Sequence, residues 1–307
     1  MALGVLNNLS AIYAENNLNN TNNSLQTVLQ QLSSGSRINS GADDAAGLSL
    51  VNGLQANSKA LTQSATNATE GVGLLQVADG ALSQVTNLLN RAVTLATEAS
   101  NGTLNASQGA AADQEYKSIL AEISNIGSTT TYNQNQVFTG AAAGITIYTG
   151  DSSAAGASLD VLYFANLSSA SVGDAGGAIT YTPAAGAVPA TISYGPVASA
   201  TNQINLSATD LTTTGNAQGA LTDLNLAITD VAAQDGYIGA QINTLNSISQ
   251  VMSTQQDNIV SAQNAIQATD YASATSNMSK YEILSQTGIA ALAQANSVEQ
   301  EVTKLLQ

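Results

Sequence analysis

The sequence predicts a mainly α protein: a long antiparallel, coiled-coil-like helical rod formed by N- and C-terminal segments, with a small β-rich central lobe. Three observations predict it. Leu54, Leu61, Ala68, Leu75, Leu82, Leu89 and Ala96 recur every seven residues, as do Leu224, Val231, Ile238, Leu245, Met252, Ile259 and Ile266, and again Leu284, Ala291, Val298 and Leu305. A period of seven keeps one stripe of a helix facing a partner, because two turns advance about seven residues and supercoiling absorbs the remainder. The flanks, 1–140 and 215–307, contain no proline. Pro183, Pro189 and Pro196 all fall in the middle, which has no Lys or Arg and is rich in Gly, Ala, Ser and Thr.

Taken in chain order, the first segment is unusual. Between Met1 and Ser36 only Glu15 is charged, while Leu18, Leu25 and Leu32 repeat every seven residues among Asn, Gln, Ser and Thr. A lone amphipathic helix normally turns Lys and Glu to water. Neutral amides, hydroxyls and methyls can be packed on every side without the penalty of several kcal/mol for desolvating a charge. Burial inside an assembly follows, with tails that are disordered alone and become helical when copies associate. A long helix is expected over 44–99, about 80 Å at 1.5 Å per residue. Asp43 or Ser40 would cap its start and Gly102 would stop it. A second helix over 107–125, with Tyr116, Ile119, Leu120, Ile123 and Ile126 on one side, would return beside the first and end near Gly127. Residues 145–148 and 159–162 flank a Gly, Asp and Ser stretch and read as a hairpin. Further strands are expected at 179–182, 191–194 and 203–207. The order of helix, strands, helix divides the chain into 1–44 with 268–307 (terminal helices), 45–140 with 215–267 (helical rod) and 141–214 (hairpin and exposed lobe).

Composition excludes most chemistry. With no Cys, His or Trp, there is no thiol or imidazole for catalysis or metal ligation, and no cofactor is expected. Charged residues are 9% of the chain, yet the net charge is −15 with only six basic residues. Nucleic acid and anionic membrane surfaces are therefore disfavoured partners. No apolar run reaches the roughly 20 residues of a membrane span. A cleavable secretion signal is not expected either, because the first basic residue is Arg37 and Asn interrupts the apolar start from Asn7. Ser279 beside Lys280, or Asp43 beside Asp44, would be the nearest approach to a catalytic pair. Adjacent helical side chains diverge by about 100°, so neither converges on one substrate atom. Asn-x-Ser/Thr triplets such as Asn67-Ala68-Thr69 are expected by chance in so Asn- and Ser-rich a chain.

Two longer stretches carry a family resemblance. Leu32-Ser33-Ser34-Gly35-Ser36-Arg37-Ile38-Asn39-Ser40-Gly41-Ala42-Asp43-Asp44-Ala45-Ala46-Gly47 and Gly71-Val72-Gly73-Leu74-Leu75-Gln76-Val77-Ala78-Asp79-Gly80-Ala81-Leu82 resemble the N-terminal signature of bacterial flagellins. Asp270-Tyr271-Ala272, Ser276-Asn277-Met278-Ser279-Lys280 and Ile283-Leu284-Ser285-Gln286-Thr287-Gly288 resemble the C-terminal block, and Asn135-Gln136-Val137-Phe138-Thr139-Gly140 the family's short Phe-containing turn. The resemblance implies a structural, non-enzymatic subunit that polymerises with itself into the extracellular flagellar filament. It implies as partners the flagellar export apparatus, an export chaperone, the filament cap and hook-junction proteins. The inner-core interface would then include Leu18, Leu25, Leu32, Leu284, Ala291, Val298 and Leu305. Rod packing would use Leu54, Leu61, Leu75, Leu82, Leu89, Leu224, Val231, Ile238, Leu245, Met252 and Ile259. An innate immune receptor contact is carried over to Arg91, Leu95 and Glu122, although the segment lacks a second Arg and a Glu common there; Leu95 packing on Ile119 or Ile123 is the alternative. A hook–filament junction protein is the runner-up within the same architecture, but such relatives place proline after the paired aspartates, where Ala45 stands here. The proline that many flagellins carry near the end is also absent from 297–301.

Overall fold

A computed structural model describes residues 8–139, 144–150, 159–169, 171–172, 179–182, 191–194 and 204–305. Five helices dominate: α1 (Leu9–Ser34), α2 (Ala45–Ser100), α3 (Ala106–Thr129), α4 (Thr214–Gln267) and α5 (Tyr271–Leu305). Among the described residues, eight short strands lie between α3 and α4. The chain forms two compact units, residues 1–58 with 257–307 and residues 59–256.

In the first unit α1 and α5 pair. Asn8 opens α1 by accepting the Ala11 N–H at 3.0 Å. Gly35 closes it in the left-handed conformation, φ 70°, donating to the Gln31 carbonyl at 2.9 Å. Asp270 opens α5 by accepting from the N–H groups of Ala272 and Ser273. The pair is antiparallel, since Asn8 Nδ2 donates to the Ala295 carbonyl (3.0 Å) and Ser285 Oγ to Asn22 Oδ1 (3.2 Å), while Gly35 lies beside Tyr271. Backbone bonds lock the end near Gly35: Arg37 N–H to the Gln267 carbonyl at 2.7 Å and Thr269 N–H to the Gly35 carbonyl at 3.1 Å. Arg37 Nη2 adds a bond to the Ile266 carbonyl at 2.9 Å.

The cap of α2 differs from expectation. Asp44 is the capping residue, its Oδ1 accepting the Gly47 N–H at 2.8 Å. Asp43 instead ties the preceding turn, accepting from the Asn39 and Ser40 N–H groups at 3.0 and 2.8 Å, which holds its carboxyl below the usual range. Which aspartate caps depends on where the turn delivers the chain, a matter of backbone path that the adjacent pair Asp43-Asp44 cannot reveal.

In the second unit the stripes of α2, α3 and α4 share one core. Leu61, Leu75, Leu82, Leu89, Leu224, Val231, Ile238, Leu245 and Met252 are all buried. Each such side chain contributes roughly 1.5–3 kcal/mol relative to exposure. In the first unit, Leu54 and Ile259 are only half-buried. Neighbouring residues set the directions. Gly71 lies against Leu245 and Gly102 faces Thr214, so α2 and α4 run antiparallel. Arg91 pairs with Glu115 and Gly73 lies against Tyr132, so α3 returns along α2. The turn between them behaves as expected: α2 ends at Ser100 and Gly102 adopts φ 68°. Asn105 and Gln108 then form a reciprocal capping box for α3.

The strands form four two-stranded antiparallel pairs. In the first, β1 (Thr131–Tyr132) and β2 (Asn135–Gln136) are joined by Asn133 and Gln134, both at positive φ, as a tight two-residue hairpin requires. The expected hairpin is β3 (Ile145–Tyr148) with β4 (Leu159–Leu162), registered Ile145 to Leu162 and Tyr148 to Leu159. β5 (Leu167–Ser168) pairs with β6 (Ser171–Val172), and β7 (Ile179–Thr182) with β8 (Thr191–Tyr194). The strand expected over 203–207 does not form. Gln203 lies outside the described residues, and Leu206–Ala208 make a single 3₁₀ turn. The Asn205 side chain captures the Ser207 N–H at 3.0 Å, taking it from any ladder, and Leu206 is fully buried.

α3 ends near Gly127, as expected, with that glycine in its last turn. α3 continues through it to Thr129, and Thr130 closes the helix by donating to the Ile126 carbonyl. A Cβ on Gly127 would collide with the backbone carbonyl of Leu167, so glycine is needed for β5 to cross the helix. Gly127→Ala should therefore destabilise the protein by at least the 1–3 kcal/mol typical of overpacking, read as a lower urea midpoint. An unchanged midpoint would show that β5 is not held against α3.

Candidate assembly surface

The first unit leaves large apolar side chains uncovered on both helices; α1 is almost uncharged, whereas α5 also exposes Lys280, Glu282 and Glu301. On α1, Leu9, Ile12, Tyr13 and Leu29 are exposed; on α5, Tyr271, Ile283, Leu284, Ile289 and Val298. Leu9, Ile12 and Tyr13 fall at spacings of three and four and so share one helix face. The only ionisable acid or base along α1 other than a tyrosine is Glu15. Patches of large exposed side chains of this kind mark interaction surfaces.

The seven-residue tracks of this unit divide between the two roles. Leu18, Leu25 and Leu32 are half-buried. Leu18 would meet a Cβ on Gly288 at 3.2 Å, so the small residue admits it against α5. Leu284 and Ala291 line an open cleft with Ala14, Leu18, Thr21 and Tyr281. Val298 is exposed, and the Leu305 side chain lies outside the described residues. The exposed Ile12, Tyr13, Ile283 and Ile289 fall off the tracks. Period seven therefore does not reveal them; their size and exposure do.

In the second unit Arg91 is exposed and engaged: its Nη2 lies 2.7 Å from Glu115 Oε1, and its Nε donates to the same oxygen at 2.8 Å. Glu122 is exposed and accepts a long 3.5 Å bond from Asn125. Leu95 is 3% exposed and belongs to the core that contains Ile119 and Ile123. Of the three residues carried over for receptor contact, only Arg91 and Glu122 present side chains at the surface.

Polar anchors hold the strand region on the helices. Asp113 of α3 accepts the Leu211 N–H at 2.9 Å through Oδ1 and pairs with Lys117 at 2.6 Å through Oδ2. Tyr116 shares a 2.5 Å bond with the Thr209 hydroxyl, and burial pushes its phenol pKa up. Tyr237 of α4 grips β4 and its continuation: its hydroxyl donates to the Val161 carbonyl and accepts the Tyr163 N–H, each at 3.3 Å, while Gln241 donates to it at 3.0 Å. Ser64 and Asn67 of α2 bond the carbonyls of Gly150 and Tyr148 at the end of β3.

The pairs considered for catalysis are otherwise occupied. Asp43 and Asp44 bind separate sets of backbone N–H groups, and Lys280 lies over the Tyr281 ring at 5.7 Å from its centroid. Among the described residues no group of three or more acidic, His or Cys side chains is placed to hold a metal, and no helix is long and apolar enough to cross a membrane.

The family model for the bacterial flagellin N-terminal helical region matches residues 5–143, and that for the C-terminal helical region matches residues 221–306. The chain belongs to the bacterial flagellin family. It is similar to the flagellin of Listeria monocytogenes, 28% identical over 97% of this chain and 98% of the relative. It is also similar to flagellin A of Vibrio anguillarum, 28% identical over the full length of both. A crystal structure of Bacillus cereus flagellin, 25% identical, matches 64% of this chain and 94% of that one with a TM-score of 0.43. This flagellin is a filament subunit of the bacterial flagellum, a structural protein and not an enzyme.

One strand residue of this flagellin carries a pH signature. Asp160 of β4 is half-buried, its Oδ2 is buried without a hydrogen-bond partner, and burial pushes its pKa above 3.8. The folded state then binds the proton more tightly than the unfolded chain, so stability falls as pH rises from 3.8 through the elevated folded value. Asp160→Asn, which keeps the acceptor for the Val161 N–H, should gain in melting temperature relative to the parent as pH rises through that window. A stability difference independent of pH would place the Asp160 carboxylate in water.

Proposed function

We propose that α1 and α5 together carry the contacts that hold neighbouring subunits in the filament. The observation that carries the reading is the pairing of exposed Leu9, Ile12, Tyr13, Ile283, Leu284, Ile289 and Val298 with a helix, α1, whose one acidic or basic residue is Glu15. Burying such faces between copies removes apolar area from water at roughly 25 cal/mol per Å², and on α1 it places no acidic or basic side chain but Glu15 at risk of desolvation. In this reading 1–44 with 268–307 form the filament's inner core, 45–140 with 215–267 an outer helical layer, and 141–214 the exposed lobe. Leu18, Leu25, Leu32, Leu284, Ala291, Val298 and Leu305 then belong to the inner-core packing.

Export through the flagellar apparatus as unfolded chain fits the same residues. The absence of Cys removes cross-links that would obstruct passage, and helices without strong intrinsic charge pairing fold mostly through the packing they find on arrival.

Deleting residues 1–36 should abolish polymerisation while leaving a helical, cooperatively melting monomer, read by sedimentation and circular dichroism. Filaments from the truncated chain would refute the role of α1. Because each subunit carries a net charge of −15, like charges repel along the polymer and are screened over about 10 Å at 0.1 M salt. Polymer yield should therefore rise with salt, and equal sedimentation at a few millimolar would contradict that charge balance.

A further inference from the structure

The sequence contains the pair Asn-Gly twice, at Asn52-Gly53 and at Asn101-Gly102. Asparagine followed by glycine is the pair most prone to self-modification. The backbone nitrogen of the following residue attacks the side-chain amide carbon, and glycine offers no Cβ to obstruct the five-membered ring. The reaction needs that nitrogen free of a hydrogen bond, a backbone able to pucker into the ring, and water.

The fold treats the two pairs differently. Asn52 and Gly53 lie inside α2, where the Gly53 N–H is committed to the carbonyl four residues earlier and helical φ and ψ are held by the turns on either side. Asn101 and Gly102 lie just past the last residue of α2, in the turn to α3. Both are exposed. Gly102 is at φ 68°, and among the described residues its N–H and the Asn101 side-chain amide make no hydrogen bond; Asn101 is held only through its own N–H, which donates to the Glu98 carbonyl at 3.3 Å. The nearest atom a Cβ on Gly102 would meet is Thr214 Oγ1 at 4.0 Å, so the turn has room to pucker.

We propose that Asn101 is a self-modification site of this protein, converting to isoaspartate and aspartate while Asn52 is protected by its helix. The Gly102 nitrogen bonds to the Asn101 Cγ, the Cγ–Nδ2 bond breaks, and the Gly102 amide proton leaves with the nitrogen as ammonia. Water then opens the cyclic imide at either carbonyl. Opening on one side restores the normal backbone with an aspartate; opening on the other routes the chain through the side-chain carbon and leaves the old backbone carbonyl as a free carboxylate. Either product places a new negative charge at the C-terminal end of α2, near Glu98, where the helix dipole is already negative. The isoaspartyl product also adds a methylene to a turn that joins two helices of one core. The modified product is the substrate class of enzymes that methylate isoaspartyl carboxylates.

The test incubates the full chain at mildly alkaline pH and follows it by peptide mapping and by labelled methyl transfer from an isoaspartyl-specific carboxyl methyltransferase. Label and the amide-to-acid mass change should accumulate in the peptide holding Asn101 and not in that holding Asn52. In urea, where α2 is melted, Asn52 should react as well. Asn101→Gln, which would need a larger ring, should lose the label, and Asn52→Gln should keep it. Equal reaction at both sites in the folded chain, or label that persists in Asn101→Gln, would overturn the proposal. So would an unreacted Asn101 in a chain whose Asn52 reacts in urea.

Discussion

The burial of one stripe of α2 against α3 and α4 is the constraint on which the second unit depends. Leu75, Leu82, Leu89 and Ala96 from α2 meet Leu224, Val231, Ile238 and Leu245 from α4 in a single core, with Tyr116, Leu120 and Ile123 of α3. Long helices with Asn, Ser, Thr and Gln on their outer faces gain little from propensity and surface charge pairs. Their stability is the stability of that shared stripe. Because α2 and α4 are antiparallel, their contacts join residues far apart in sequence, and the strand region closes the loop between them.

The described residues around β3, β4 and β5 are held on the helices by a few polar anchors and close approaches. Among the described residues the four strand pairs share no ladder. Tyr237 holds Val161 and Tyr163, Asp113 holds Leu211, and the absent side chain of Gly127 lets Leu167 approach. Phe138 and Phe164 then meet edge to face, 6.2 Å between centroids, joining the β2 exit to the chain after β4. These anchors use tyrosine and carboxylate groups that are partly desolvated, which is why Tyr116, Tyr237 and Asp160 all have their pKa values pushed up.

The first unit follows a different economy of charge. Its two helices pair through small residues, amides and hydroxyls, as Gly288 beside Leu18 and Asn22 beside Ser285 show. Large apolar side chains remain on the outside. A subunit whose ends present such faces, and whose chain has 9% charged residues, is suited to a filament in which those faces meet copies of themselves.

Much of this was legible in the residues alone. Period-seven stripes name the buried faces of α2 and α4 because helical geometry converts sequence spacing directly into a direction in space. β-Branched and aromatic residues mark β3, β7 and β8, the Gly, Asp and Ser stretch between β3 and the apolar run Leu159–Leu162 marks that hairpin, and Gly102 marks a turn because few other residues accept its backbone angles. What the residues could not decide are the places where two distant segments touch. Asp44 and not Asp43 caps α2, Gly127 is where β5 crosses α3, and the stretch 204–208 coils where a strand was expected. Leu95 turns into the core and leaves Arg91 paired with Glu115 outside. In each case the outcome is set by a partner tens of residues away or by the path of the backbone, information that spacing along one chain does not contain and that exists only once the helices have packed.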